Sequence, residues 1–477
     1  MPHQAEQKDA GHLSAPLGTL PDPLPVPTLA SVRVMPAFDA SLRPPGSKSL
    51  TNRALLLAAL SGGQSELRGA LIDAADTRVM SKALVQLGAS VQVRGDTICV
   101  EGVGGRWKPK ASEEVRLDLE NAGTAVRFLA AASVFSPVPV VIDGNDRMRQ
   151  RPIGELGRAL GDLGARVESL GNAGCPPIRI VPPAMLPERG EIFFETLPSS
   201  QFVSAVLLAG AFLPGGLSVE IEGEATSASY VRMTLGLLDH FGVAVRSSAD
   251  LRVLRVGGHR GALDSGITLD IEPDASGASV FWAAAAAAPG ARVVIEGVDD
   301  SGLQGDLAFP SVLARMGATT RSVSAEEGTG GPCLSVRGGD VLQPVMADMR
   351  DMPDAAMALV VLASLAKGGS MVRGLHTLRV KETDRLHALR AELAKVGVVV
   401  ELDVQGEAGA VRIEPPAGGI DRSASASPVV FETYDDHRMA MALSLIGLHR
   451  PNVSIADPKC VAKTYPGFWA DLARLYE

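Results

Sequence analysis

Ionisable groups are unusually dense in two stretches of this chain. VKETDRLHAL gathers Lys381, Glu382, Asp384 and Arg385 at the start of an amphipathic run, and RMRQRPIGEL sets Arg147, Arg149 and Arg151 at alternate positions. Carboxylates such as Glu382, or Asp354 in DMPDAAMAL, can move protons when neighbouring cations tune them. Cations and hydroxyls also stand where apolar runs open. Lys48 and Arg53 accompany Ser47, Ser49 and Asn52; Arg127 accompanies Asn121 and Thr124; Ser199, Ser200 and Gln201 open a third run; Arg438 follows His437 in another. A helix start exposes unpaired N–H groups and a partial positive charge, which suits phosphate or carboxylate. Ser199 or Asn121 alone would serve as an N-cap, RMRQRPI as a solvated face, and KETDR as a capping arrangement with local ion pairs. A Lys or Arg in a first turn opposes the helix dipole unless an anion is present. The set as a whole therefore points to a polyanionic ligand.

Other chemistries find no support. There is no GxSxG, Walker loop or complete GxGxxG, and GSKS lacks the spacing of a phosphate loop. A formal charge of −9 argues against a broad nucleic-acid or anionic-membrane surface, and 4% aromatic residues leave little for base stacking. The cysteines Cys99, Cys175, Cys333 and Cys460 are far apart, without CxxC or HExxH, so neither a disulfide framework nor a metal site is expected. This fits a reducing, cytoplasmic setting. Uncharged stretches such as the one from Phe128 to Ile142 fall short of the roughly 18 apolar residues of a membrane span. Residues 1–28, with scattered prolines and no basic start followed by an apolar run, are expected to be a disordered extension rather than a targeting signal.

The elements that must position these residues repeat along the chain. SKALVQLGASVQV, GRALGDLGARVES, TLGLLDHFGVAVR, PSVLARMGATTRS and RAELAKVGVVVEL each read as an amphipathic helix closed by Gly and followed by a strand. Their glycines, Gly88, Gly164, Gly242, Gly317 and Gly397, are spaced by about 76, 78, 75 and 80 residues, the size of a small folding unit. GFWADLARLYE closes the chain as a sixth helix without a trailing strand. A second series of evenly apolar runs, marked by Ser47, Gly123, Ser200, Gly277, Asp354 and His437, keeps step with the first and predicts buried helices. Six units exceed one core, so they divide three and three. The expected domains are 46–268, and 29–45 with 269–477, with a ligand cleft between halves that close on it.

PPGSKSLTNRALLLAAL, NAGTAVRFLAA, RMRQRPI, SSQFVSAVLLAG, MPDAAMAL, VKETDRL, YDDHRMAMAL and CVAKTYPGFW occur in the order seen in the 5-enolpyruvylshikimate-3-phosphate synthase family, which the chain resembles from about Arg43 to its C-terminal helix. The resemblance implies an α/β fold, a two-domain inside-out α/β barrel of six βαβαββ-type units. It implies enolpyruvyl transfer from phosphoenolpyruvate to shikimate 3-phosphate by a monomer, without metal or organic cofactor, nucleic acid or membrane. By the same resemblance Asp354 is the base at the 5-hydroxyl, Glu382 the acid/base at the methylene carbon, and Lys48 a cation assisting proton transfer. Shikimate 3-phosphate is expected on Lys48, Ser49, Arg53, Ser199, Ser200, Gln201, Ser227, Tyr230, Asp354 and Lys381. Phosphoenolpyruvate is expected on Lys48, Asn121, Gly123, Thr124, Arg127, Arg147, Gln201, Arg385, Arg438 and Lys463. Phe128 stands where many members carry Pro, beside the Gly123 and Thr124 turn at which the family discriminates glyphosate. Two alternatives are the UDP-N-acetylglucosamine enolpyruvyl transferase, which shares the six-unit plan but uses a loop Cys, and a non-catalytic binder of phosphorylated carboxylic acids.

Overall fold

The computed structural model describes residues 10–32, 37–195, 199–223, 227–258, 261, 263–323 and 331–477. The chain divides into two compact units. The first is Pro45–Glu272 with Leu303–Gly305, and the second is Met1–Pro44, Pro273–Gly302 and Asp306–Glu477. For the first, the sequence had suggested 46–268.

Three apolar helices form the heart of each unit. In the first they are Lys48–Leu60, Gly123–Ala132 and Ser200–Gly210, which pack on one another. Every residue of Gly123–Ala132 is buried, as is every residue from Leu50 to the end of the Lys48 helix. A helix apolar on all sides has no face to offer water, so it must lie inside. Ala275–Ala287, Ala356–Ala363 and His437–His449 do the same in the second unit.

The sheets lie outside these helices, as their residue pattern requires. In Val115–Asp118 the side chains of Val115 and Leu117 are buried while Arg116 and Asp118 are exposed, so one face packs and the other is wet. Five sheets share one plan, exemplified by Val115–Asp118 parallel to Val140–Asp143, then Ile178–Val181 and Arg166–Ser169 antiparallel. The parallel step needs a crossover, and the buried helix supplies it. The amphipathic helix that follows ends at the Gly marked by the repeat. Gly88 has φ 106° and Gly397 φ 81°, left-handed values at which a side chain would be strained. In each half the first strand of the opening repeat is borrowed from afar. Thr268–Asp270 pairs with Gln64–Arg68, and Asp39–Leu42 with Arg292–Glu296.

The expectation of a disordered extension over 1–28 is corrected for residues 10–28; residues 1–9 lie outside the described residues. Leu13, Leu20, Leu24 and Val26 are buried in the second unit's core, and Leu24–Val26 pairs antiparallel with Val453–Ile455. Scattered prolines suggested a loose chain, but the apolar residues between them find a core to enter. Among the described residues no helix is long and apolar enough to cross a membrane.

Candidate active site

In the first unit, the helix openings are tied together by their own polar side chains. Arg53 is buried and donates from Nε to Thr234 Oγ1 (2.8 Å), from Nη1 to Ser49 O (2.8 Å), and from Nη2 to Ser204 Oγ (3.1 Å) and Tyr230 O (3.2 Å). Its guanidinium also lies 5.2 Å from the Phe128 ring centre. Burial, opposed by Tyr230, lowers its pKa to about 10, so the charge survives at neutral pH. Among the described residues no carboxylate pairs with it, leaving a desolvated cation held by neutral groups. Lys48 Nζ lies 3.4 Å from Asp76 Oδ2. Gln201 links two openings: its N–H reaches Ser199 Oγ at 3.2 Å, the N-cap of its own helix, and its Nε2 reaches Thr124 Oγ1 at 3.3 Å. Ser200 is buried next to it, and Ser227 sits at φ 51° before the helix Ala228–His240 that carries Tyr230.

The arginines of RMRQRPI separate. Met148–Gln150 forms a 3-10 turn, in which alternate residues diverge instead of sharing a face. Arg149 points out to Asp143 at 2.9 Å, Arg147 is half-buried, and Arg151 is buried. Arg151 Nη1 lies 3.3 Å from Asn121 Oδ1, and its guanidinium covers Gly123, where a Cβ would stand 2.7 Å from Nη2. A cation over a helix start is the arrangement that an anion completes. The resemblance implies Arg147 from this motif; the structure in addition puts Arg151 beside Asn121 and Gly123. Arg127 donates to Gly123 O (3.3 Å), Met148 Sδ (3.3 Å) and Pro152 O (3.0 Å), so it braces the turn.

Arg385 is the hub of the second unit's cluster. It grips Asp436 through Nε to Oδ2 (2.7 Å) and Nη2 to Oδ1 (3.1 Å), and reaches Asp354 Oδ1 (3.0 Å) and Glu382 Oε2 (3.1 Å). Burial alone would lower its pKa, but Asp436, Glu382 and Asp354 outweigh it and raise the value. Lys463 Nζ is 3.2 Å from Glu382 Oε1, and Lys381 Nζ is 3.9 Å from Asp354 Oδ1. Arg438 is buried with Nη2 at 3.6 Å from Asp274 Oδ2 and 3.8 Å from Asp354 Oδ2, while Nε and Nη1 have no hydrogen-bond partner among the described residues. The two carboxylates expected to move protons thus share one guanidinium.

Asp274, Asp306 and Asp436 join this cluster without having been singled out. Asp436 and Asp274 also cap helices, through Arg438 N (2.9 Å) and Gly277 N (2.9 Å), the signal by which sequence marks them as caps only. Asp306 accepts from Ser276 Oγ. Burial first, then Asp354, raises its pKa to about 7. The loop before Arg438 is held from the other side. Tyr434 and Asp435 both have left-handed φ, 57° and 55°, and buried Glu392 accepts from Tyr434 OH (2.8 Å), Glu432 N (2.8 Å) and Lys395 Nζ (2.6 Å). Glu392 and Arg385 stand on one helix, Arg385–Ala394, which is therefore fastened to that loop at two points.

Two repeat-built units with their apolar helices inside define the fold of the enolpyruvyl transferases. A solved structure of an EPSP synthase from Acinetobacter baumannii superposes with TM-score 0.71 at 26% identity, covering 92% of this chain and 96% of that one. An enolpyruvyl transferase of Streptomyces tendae shares the fold, with TM-score 0.69 at 17% identity over 92% of this chain and 95% of its own. The chain belongs to the EPSP synthase (3-phosphoshikimate 1-carboxyvinyltransferase) family, whose sequence signature matches residues 33–472. Relatives named 3-phosphoshikimate 1-carboxyvinyltransferase include one from a Sulfurovum species, 41% identical over 89% of this chain and 94% of its own length. Another, from Erwinia tasmaniensis, is 40% identical over 92% of this chain and 96% of its own length.

Proposed function

We propose that this chain transfers the enolpyruvyl group of phosphoenolpyruvate to the 5-hydroxyl of shikimate 3-phosphate, releasing phosphate and forming 5-enolpyruvylshikimate 3-phosphate. The observation that carries the reading is Arg438, a buried guanidinium whose Nε and Nη1 have no hydrogen-bond partner among the described residues. Buried donors left unmade cost stability, and a planar guanidinium edge matches carboxylate or phosphate. Both substrates carry both groups.

In the addition step, the 5-oxygen bonds to C2 of phosphoenolpyruvate, its proton passes to Asp354, and the C3 methylene gains a proton from Glu382 to become a methyl group. In the elimination step, Glu382 takes a proton back from C3, the C2=C3 double bond re-forms, the C2–O bond to phosphate breaks, and the phosphate leaves with the proton that Asp354 had taken, so both carboxylates are reset. Lys48 assists these transfers. Arg385, Arg438 and Lys463 clamp phosphoenolpyruvate, together with Asn121, Gly123, Thr124, Gln201, Arg127, Arg147 and, on its placement over Gly123, Arg151. Fixed cations at the departing phosphate stabilise charge where it develops. Shikimate 3-phosphate is held by Ser49, Arg53, Ser199, Ser200, Gln201, Ser227, Tyr230 and Lys381. Lys381, Arg385, Arg438 and Lys463 are matched in the second unit by Asp274, Asp306, Asp354, Glu382 and Asp436, one more carboxylate than cations. A protonated Asp306 removes that excess, which favours anion binding.

The test is phosphate release from phosphoenolpyruvate with shikimate 3-phosphate as acceptor, beside the same assay with UDP-N-acetylglucosamine. Release with shikimate 3-phosphate alone is expected; release only with the nucleotide sugar overturns the assignment. Glu382→Gln should retain substrate binding while turnover falls by about two to four orders of magnitude. Near-normal turnover would remove Glu382 from the mechanism.

A further inference from the structure

Among the described residues the sixth repeat contributes two strands to its sheet. Val429–Phe431 lies parallel to Val453–Ile455 as in the other five sheets, and the residues that follow form the turns and helices Pro458–Lys463, Phe468–Ala473 and Arg474–Tyr476. The antiparallel third place is taken by Leu24–Val26, in the register Leu24 to Ile455 and Val26 to Val453. We propose that residues 10–32 are the missing third strand of this repeat, and that through Asp22 this strap fixes the turn that presents Lys463 to phosphoenolpyruvate. The second half rests on the reading of Lys463 given above.

Several independent features fit the strap to this place. Pro21, Pro23, Pro25 and Pro27 alternate. Successive N–H groups of a strand point to opposite edges, so these prolines strip donors from one edge and leave the other intact, which makes a strand that pairs on one side only. Among the described residues the sheet has three strands, with this one at its edge. The helix His437–His449, which carries Arg438, is notched for the strap: a Cβ at Gly447 would come within 2.6 Å of Val26 Cβ. Tyr476 OH donates to Pro27 O at 2.6 Å, and Leu29 is buried.

Asp22 then reaches the turn itself. Its Oδ1 accepts the N–H of Asp457 at 2.8 Å, across 435 residues of sequence. Asp457 has φ 43° and is the residue at which the chain leaves Val453–Ile455 and enters Pro458–Lys463, whose last residue is Lys463. Leu17–Thr19 of the strap packs against the same turn. Burial first, then Asp435 and third Asp22, pushes the Asp457 carboxyl above its usual range. The family signature begins at residue 33, so the strap lies outside the stretch by which the family is recognised.

The test uses single changes in the full chain, because Leu13, Leu24 and Leu29 belong to the core and deleting the strap would unfold it. Steady-state kinetics and thermal unfolding are measured for Asp22→Ala, Asp22→Asn, Lys463→Met and the double variant Asp22→Ala/Lys463→Met. Asp22→Ala should raise KM for phosphoenolpyruvate about three- to ten-fold, the worth of one hydrogen bond, with kcat within about two-fold and KM for shikimate 3-phosphate unchanged. Asp22→Asn keeps a carbonyl acceptor and should behave like the parent. Lys463→Met should raise KM for phosphoenolpyruvate by itself, and adding Asp22→Ala should change nothing further if Asp22 acts through Lys463. A silent Asp22→Ala beside an effective Lys463→Met, or equal effects of Asp22→Ala in both backgrounds, overturns the role of Asp22 alone. A silent Lys463→Met removes the reading of Lys463 and the proposal with it.

Discussion

Gly123 and Arg151 crowd each other at the opening of the helix Gly123–Ala132. Gly123→Ala requires the guanidinium to move aside, and because the crowded atoms are the end of a flexible side chain, the fold should absorb the change. We expect a melting temperature close to the parent and KM for phosphoenolpyruvate raised at least about five-fold, as one charge-assisted contact is loosened. Unchanged KM would mean that Arg151 does not serve the anion. Asp306 is the second residue with a distinctive consequence. Its folded pKa, about 7, is raised above the ordinary carboxylate value of 3.8, so the folded state holds this proton more tightly than the unfolded chain does. Stability from this group is complete below about pH 4 and is lost as pH rises through 7. In Asp306→Asn that loss is absent. Urea unfolding across this range should show the variant gaining on the parent as pH rises, and parallel curves would refute the assignment.

At the scale of elements, the helix Arg385–Ala394 acts as a two-point clamp. Its first residue grips Asp436, and Glu392 receives Tyr434, the Glu432 N–H and Lys395. The left-handed pair Tyr434 and Asp435 is tolerated because both neighbours hold it in place. Glu392→Ala leaves these donors without their acceptor and should cost about 2–4 kcal/mol of stability. Glu392→Gln should cost less, since an amide oxygen still accepts. Denaturant midpoints decide this, and equal losses for both variants would show that Glu392 only fills space. Repetition lets six similar openings carry different residues without altering the supporting helix, because the apolar run behind each opening is what packs.

At the scale of the molecule, each unit has its own apolar core, and one of them is nearly continuous in sequence. Pro45–Glu272 contains all three of its sheets, including the borrowed strand Thr268–Asp270. Residues 45–272 expressed alone should therefore unfold cooperatively on heating, although Glu272 loses its bonds to Leu303 N and Gln304 Nε2. A broad, non-cooperative transition would show that this unit depends on the rest of the chain. The second unit offers no such test, since its pieces come from three segments.

Period and composition alone determined the six repeats, the buried apolar helices and the glycines that close their partners, because these follow from local spacing and from the need to bury apolar area. Ser199 as a cap and the cations at the helix openings were legible for the same reason. That Arg151 of RMRQRPI lies over Gly123 was not, since a 3-10 turn and the space over that glycine decide it. Nor was the company of Asp274 and Asp306 from the fourth repeat and Asp436 from the sixth around Arg385 and Arg438, which only the folded chain brings together. The first residues looked loose because prolines dominate their local pattern. Only the folded chain supplies Val453–Ile455, the open strand edge that makes an alternating-proline segment the right partner.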